Sequence, residues 1–296
     1  MSTTAVDITG DEVAGKAVQP VVPMVRRRPS ILLWASVGWL ALVILLALFS
    51  GLLSLPKYGV PVGFPRSGPT LSLDGLLGYD HVGRSVLSRA VYGSRVSLIV
   101  GAVSSITAMV IGTLLGLIAG FYRGWVDTVV MYVTDSLLAF PPLVLLLALS
   151  SVLRPSYTTL LLGLTTVVIP TFVRLARANT LTWAAREFVL AATNLGTGRM
   201  RIALREVLPN ILPPVLAYLP TVLAALIVAE GSLSFLGMGV PSPTPSWGGM
   251  IADGKNYLYD APLLVIIPAA IIFLTVFALN QCGDHLRAHV DRTAQH

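Results

Sequence analysis

The sequence predicts an all-α membrane protein with six transmembrane helices. Of its 296 residues, 55% are hydrophobic and only 11% are charged, against about 25% charged in soluble domains. Mean hydropathy is +0.80. The apolar residues gather into six runs, most of them near the roughly 20 residues a bilayer crossing takes. A net charge of +6 does not point to nucleic acid, because basic residues of a membrane protein collect in its cytoplasmic loops for topological reasons. The single cysteine, Cys282, excludes an internal disulfide and reads as a small core residue of an apolar helix.

Taken in order, residues 1–30 read as a disordered cytoplasmic tail, polar and punctuated by Pro and Gly. Arg26, Arg27 and Arg28 precede an apolar run over 31–55, the first transmembrane helix. A signal peptide would carry a shorter apolar core of about 7–15 residues, although the paired arginines resemble a twin-arginine signal. Residues 56–92 form a Pro/Gly-rich extracytoplasmic loop, and 93–283 form the transmembrane core. The second span covers 94–120, with Gly112, Gly116 and Gly120 spaced by four so that a neighbouring helix can approach closely. A short hinge at Tyr122, Arg123, Gly124 and Trp125 leads to a third span, 127–153, interrupted at Pro141 and Pro142. The fourth span, 158–175, contains Pro170. The fifth and sixth cover 211–233 and 262–282, and 284–296 form a cytoplasmic tail.

Six spans put both termini on one side. With that side cytoplasmic, thirteen of the twenty Lys and Arg residues lie inside, leaving Lys57, Arg66, Arg84, Arg89, Arg95, Arg154 and Lys255 outside. That bias is the expected one.

Between the fourth and fifth spans lies a polar, helix-favouring segment, 179–210, far longer than a chain reversal needs. It reads as two short helices, 182–195 and 199–207, joined by a turn at Gly196-Thr197-Gly198. Pro209, Pro213 and Pro214 limit the second. Physics alone leaves two readings level: a docking element for a soluble partner, or an amphipathic loop whose Arg186, Arg199, Arg201 and Arg205 meet anionic headgroups.

The pattern Ala191-Ala192, Gly196 and then Leu208-Pro209 resembles the cytoplasmic EAA loop of binding-protein-dependent ABC importer permeases. The leading glutamate of that motif falls on Leu190, with Glu187 one turn earlier on the same helical side. GYDHVGRSVLSRAVYGSRVSL is similar to the GTDxxGRDVLSRxxYGxRxSL stretch of the C-type permease in dipeptide, oligopeptide and nickel importers. Tyr79 replaces the threonine and Ser85 the second aspartate. GFYRGWVD, DSLLAFPPL, SLSFLGMGVPSPTPSWGGMI and GDHLRAHVD match the same pattern, so the resemblance covers roughly 76–291.

The resemblance implies a type I ABC importer permease fold in the cytoplasmic (inner) membrane, coupled to its ATPase through Glu187, Ala191, Ala192, Gly196, Leu208 and Pro209. It also implies a homologous permease partner, two ATP-binding subunits and an extracytoplasmic substrate-binding protein. On this reading ATP and magnesium sit on the partner subunits, and no cofactor belongs to this chain. The favoured cargo is a dipeptide or oligopeptide. Nickel or a chelated metal is the alternative, and the scarcity of histidine in the spans favours peptides. Two other classes stand beside the importer. An ion-gradient-driven transporter would typically show inverted repeats, which the sequence lacks. A non-transporting membrane anchor would show ATPase activity indifferent to cargo.

Other signals are weaker. Residues 249–256 nearly spell a P-loop, but Asn256 stands where Ser or Thr must hold magnesium. The chain therefore has no ATPase of its own. His285 and His289 are four apart without a third metal ligand in a recognisable motif, and read as a solvated helix face. Asp135 and Glu230 are the acids within apolar spans, where charge is costly. Each has two readings: a place on the translocation path or a pairing across a permease dimer, or a structural hydrogen bond, which for Asp135 would cap the kink at Pro141. In the last outer loop, Phe235 and Trp247 are candidates for contact with the binding protein or for the outer gate, or for an interfacial aromatic belt.

Overall fold

The computed structural model describes residues 31–152 and 156–293. The expected tail over 1–30 lies outside the described residues. The order is α1 (Ile31–Phe49), α2 (Val86–Tyr122), α3 (Gly124–Leu138), α4 (Pro142–Val152), α5 (Tyr157–Ala184), α6 (Glu187–Asn194), α7 (Arg199–Ile202), α8 (Leu208–Phe235), α9 (Trp247–Gly254) and α10 (Leu263–Thr293). Among the described residues there is no β-strand, only an isolated bridge between Tyr79 and Ser85. Five helical paths among the described residues are long and apolar enough to cross a membrane, or six when the pair α3–α4, bent by 88° at its break, is taken as one span.

Helix ends depart from the apolar runs for local reasons. The first helix stops at Phe49, short of position 55, and its chain turns through Leu52 and Leu53 bonded to the Phe49 carbonyl. The second begins at Val86, inside the expected loop, because Ser85 caps it by accepting from the Ser88 N–H at 3.2 Å. At 37 residues it is about 55 Å long and overshoots a hydrocarbon core of about 30 Å. The hinge after it is sharp: Arg123 and Gly124 both take positive φ, 54° and 62°. The last helix continues through the expected cytoplasmic tail to Thr293, where Arg287 ties it back to α8 through Thr221 at 3.0 Å.

The core is built on α2, α5 and α8. The glycine stripe of α2 lies directly on α5. A Cβ at Gly112 would come 2.6 Å from that of Phe172, one at Gly116 would come 2.7 Å from that of Ala176, and one at Gly120 would come 2.8 Å from that of Thr180. Backbones can approach this closely only without side chains. Phe172 is fully buried and meets Tyr218 of α8 edge-on, ring centroids 6.4 Å apart. The first helix packs outside this core, against α2 and α10.

The three prolines expected to stop the second coupling helix do not stop it. From Ala203 to Val207 the chain widens into a π-helical turn and runs on into α8, with Pro209 in its first turn and Pro213, Pro214 and Pro220 inside it. Widening absorbs the missing N–H and the ring that would strike the carbonyl four residues earlier.

Candidate functional site: a coupling element and a re-entrant helix

At one end of the bundle, α6 and α7 form a compact elbow. Its turn is a Schellman cap: Gly196 takes φ +76°, its N–H donates to the Thr193 carbonyl at 3.0 Å, and the Thr197 N–H donates to the Ala192 carbonyl at 3.1 Å. One face is anchored. Val189, Ile202 and Val207 are buried in the main core, with Ala192, Leu208 and Trp183 packed on them. Arg199 lies over the Tyr122 ring, 5.2 Å from its centroid, and so ties α7 to the end of α2.

The opposite face is open. Phe188, Leu190, Leu195, Met200 and Leu204 are exposed, Leu195 to 86%. Arg186, Arg199, Arg201 and Arg205 are exposed as well. Of the residues expected to couple, Ala192 and Leu208 come together on the anchored side. Glu187, Ala191, Gly196 and Pro209 are exposed, and Leu190 stands out from the same surface.

Asp135 does not cap the break before α4. It pairs with Arg174 of α5 at 2.7 Å, and both side chains are about half exposed, 55% and 54%. Two turns along α3, Asp127 grips Arg177 with two bonds, the second at 2.6 Å. These pairs hold α3 to α5 and present ionic groups on a face that the chain itself leaves open.

Glu230 lies elsewhere, fully buried near the far end of α8. Ser97 of α2 donates to one carboxylate oxygen at 3.1 Å and Ser234 to the other at 2.7 Å. Ser97 in turn accepts from the Trp247 backbone N–H at 3.2 Å, and Ser246 caps α9 by accepting from the Gly249 N–H at 3.0 Å. The carboxyl group is thus linked through Ser97 to the first residue of α9. The two helices touch at glycine on glycine: a Cβ on Gly248 would overlap Gly231.

Trp247 is therefore not a surface contact for a binding protein, nor part of an aromatic belt. It is fully buried, and its indole N–H donates to the Ala90 carbonyl at 3.1 Å. The loop between α8 and α10 sends α9 back into the bundle. Phe235 remains exposed, under the Lys255 ammonium at 4.8 Å.

A further ionic cluster, counted in the sequence only as outer-loop charges, fixes α9 from its other end. Asp80 binds Arg84 at 2.6 Å and approaches Arg89 at 3.5 Å, and Arg89 reaches Asp253 of α9 at 2.9 Å. All but Asp253 are buried. Asp80 also accepts from the backbone N–H groups of Val82 and Arg84, so its charge is fully matched. The available signal was the density of charge in GYDHVGRSVLSR.

The chain is similar to several known proteins over most of its length. It is 36% identical over 249 residues to the dipeptide transport system permease protein DppC of Alkalihalophilus pseudofirmus, covering 84% of this chain and 81% of that one. It is 36% identical over 215 residues to the glutathione transport system permease protein GsiD of Pectobacterium atrosepticum, covering 73% and 71%. To the di/tripeptide transport system permease protein DppC of Pseudomonas aeruginosa it is 37% identical over 216 residues, covering 73% and 71%. A solved inward-facing structure of the MetNI methionine ABC transporter superposes with a TM-score of 0.58 at 18% identity, covering 69% of this chain and 97% of that one. The fold is accordingly that of a type I ABC importer permease. Residues 112–296 match the family model of the binding-protein-dependent transport system inner membrane component, and the chain belongs to that family.

Proposed function

We propose that this chain is the permease subunit of an ATP-driven importer of dipeptides or oligopeptides, working by alternating access in the cytoplasmic membrane. The observation that carries the reading is the elbow of α6 and α7, anchored on one face by Val189, Ile202 and Val207 and open on the other as an apolar surface studded with arginine. An exposed apolar patch rimmed by charge marks a docking surface. The family description and the ABC-transporter neighbour support the partner class, and the names of the relatives support the peptide cargo.

On this reading both termini and the elbow are cytoplasmic, and the chain makes no bonds itself. One of two ATP-binding subunits seats on the elbow, a homologous permease completes the path, and a substrate-binding protein delivers cargo outside. ATP and magnesium act on the partner subunits, and nucleic acid has no part. Closure of the ATP-binding subunits displaces the elbow, and α8, continuous with it, carries the displacement across the membrane. Transport then requires that ATP and loaded binding protein favour the outward state differentially.

Co-purification of the tagged chain from its host membrane, with bound subunits identified by mass, tests this. A second permease and P-loop ATPases are expected, with uptake of a labelled dipeptide by the reconstituted complex. Recovery of the chain alone after mild crosslinking would overturn the proposal.

A further inference from the structure

The region of α1 and α2 farthest from the elbow contains a groove unrelated to the coupling or re-entrant elements. It has a volume of about 240 Å³ and is lined by Ile44, Ala47 and Leu48 of α1 and by Leu98, Ile99 and Ala102 of α2. One polar residue borders it, Arg95. The Arg95 side chain is exposed, and among the described residues no carboxylate forms an ion pair with it.

The depth of this arginine follows from its neighbours. The groove residues of α1 belong to its last two turns before Phe49, and a 19-residue helix is about 28 Å long, close to the hydrocarbon thickness. Arg95 therefore lies where acyl chains meet headgroups. About one turn toward the start of α2, the Tyr92 and Tyr58 rings meet at a tilt, centroids 5.2 Å apart, and tyrosines are enriched at that boundary. A guanidinium there without a protein partner calls for an anion, and its five donors match a phosphate. The apolar groove continues from it in the direction an acyl chain would take.

We infer that Arg95 and the α1–α2 groove form a binding site for an anionic phospholipid, in the leaflet opposite the elbow, with the headgroup phosphate on Arg95 and an acyl chain between Ala47 and Ala102. The site depends on the chain being a membrane protein and not on its cargo.

The test uses the full chain with its co-purifying subunits, equilibrated in mixed micelles holding equal phosphatidylglycerol and phosphatidylcholine. Retained lipid is counted by native mass spectrometry. Wild type is expected to retain phosphatidylglycerol several-fold over phosphatidylcholine. Arg95→Gln should bring that ratio close to one, Arg95→Lys should preserve most of it, and Ala102→Phe, which fills the groove, should lower retention of both lipids. Lys57→Gln, an exposed cation outside the groove, should change nothing. Equal ratios in wild type and Arg95→Gln would overturn the site. So would loss of a protein subunit from Arg95→Gln with lipid unchanged, because the groove would then belong to a partner helix.

Discussion

Gly196 offers the most direct test of the elbow. Its φ of +76° lies in the left-handed region, where a side chain costs about 1–2 kcal/mol. A Cβ built there has nothing within 4 Å, so Gly196→Ala carries that backbone cost and no clash. Gly196→Pro goes further. Its ring holds φ near −65°, so the turn cannot form, and both bonds of the cap to Thr193 and Ala192 are lost. At about 0.5–1.5 kcal/mol each, the two lost bonds cost roughly 1–3 kcal/mol and the turn itself is gone. The eight residues of α6 are too few to hold a helix alone, so the loss falls on the elbow rather than on the bundle. Expected outcomes are normal insertion and assembly for both variants, and a ratio of cargo imported to ATP hydrolysed in proteoliposomes that falls modestly for alanine and collapses for proline. Wild-type coupling by Gly196→Pro would refute the placement of the turn. Failure of that variant to insert would refute the claim that its strain is local.

Further substitutions probe the rest of the molecule. Gly116→Leu must push against the Val173 carbonyl and the Ala176 Cβ and should cost at least the 1–3 kcal/mol typical of overpacking, read as a lower unfolding temperature in detergent. Gly38→Leu, with open space around it, should leave that temperature unchanged. Asp80→Ala removes the 2.6 Å partner of the buried Arg84 guanidinium and leaves Asp253 alone to face Arg84 and Arg89, so about 3–5 kcal/mol is expected, with greater protease sensitivity around α9. A double-mutant cycle on Asp135 and Arg174 in the assembled transporter should give about 0.2–1 kcal/mol if the pair lines a water-filled path. A coupling well above that range would place it in a dry contact between permeases.

What was legible in the sequence was local. The stripe of Gly112, Gly116 and Gly120, the turn at Gly196 and the break at Pro141 each depend on residues within a few positions of one another, and the structure contains all of them. What was not legible depends on distant partners. Ser97 and Glu230 meet across 133 residues, and Arg89 and Asp253 across 164. The eight-residue α9 is too short to show a helical period, and its Pro- and Gly-rich flanks look like loop. Two of the three readings of Trp247, the binding-protein contact and the aromatic belt, therefore placed at a surface a side chain that is buried. The prolines after α7 misled for a related reason: stop signals are read one residue at a time, whereas a π turn spreads the strain over Ala203 to Val207.

The path of α8 connects these features. Its first turn follows directly from the elbow through the π turn, and near its far end Ser234 meets Ser246, the cap of α9, at 3.4 Å, while Glu230 is linked to α9 through Ser97. No flexible linker interrupts that path, and a helix transmits rotation and translation where a loop would dissipate them. At the far end, the glycine contact between Gly231 and Gly248 leaves no side chain to cushion a shift, so movement of α8 must carry α9 with it or break the Glu230 cluster. The Asp80, Arg89 and Asp253 cluster holds the other end of α9 to α2. The start of α9 is bonded to α2 as well, through Ser97 and the Ala90 carbonyl, so a displacement of α8 relative to α2 is taken up where α8 meets the start of α9, at Gly231 and Ser234. On the proposed reading this is how movement at the elbow reaches the opposite side of the membrane: α8 shifts against the start of α9, a helix that α2 holds at both ends, and the discrete polar contacts there allow a small set of stable positions rather than a continuum.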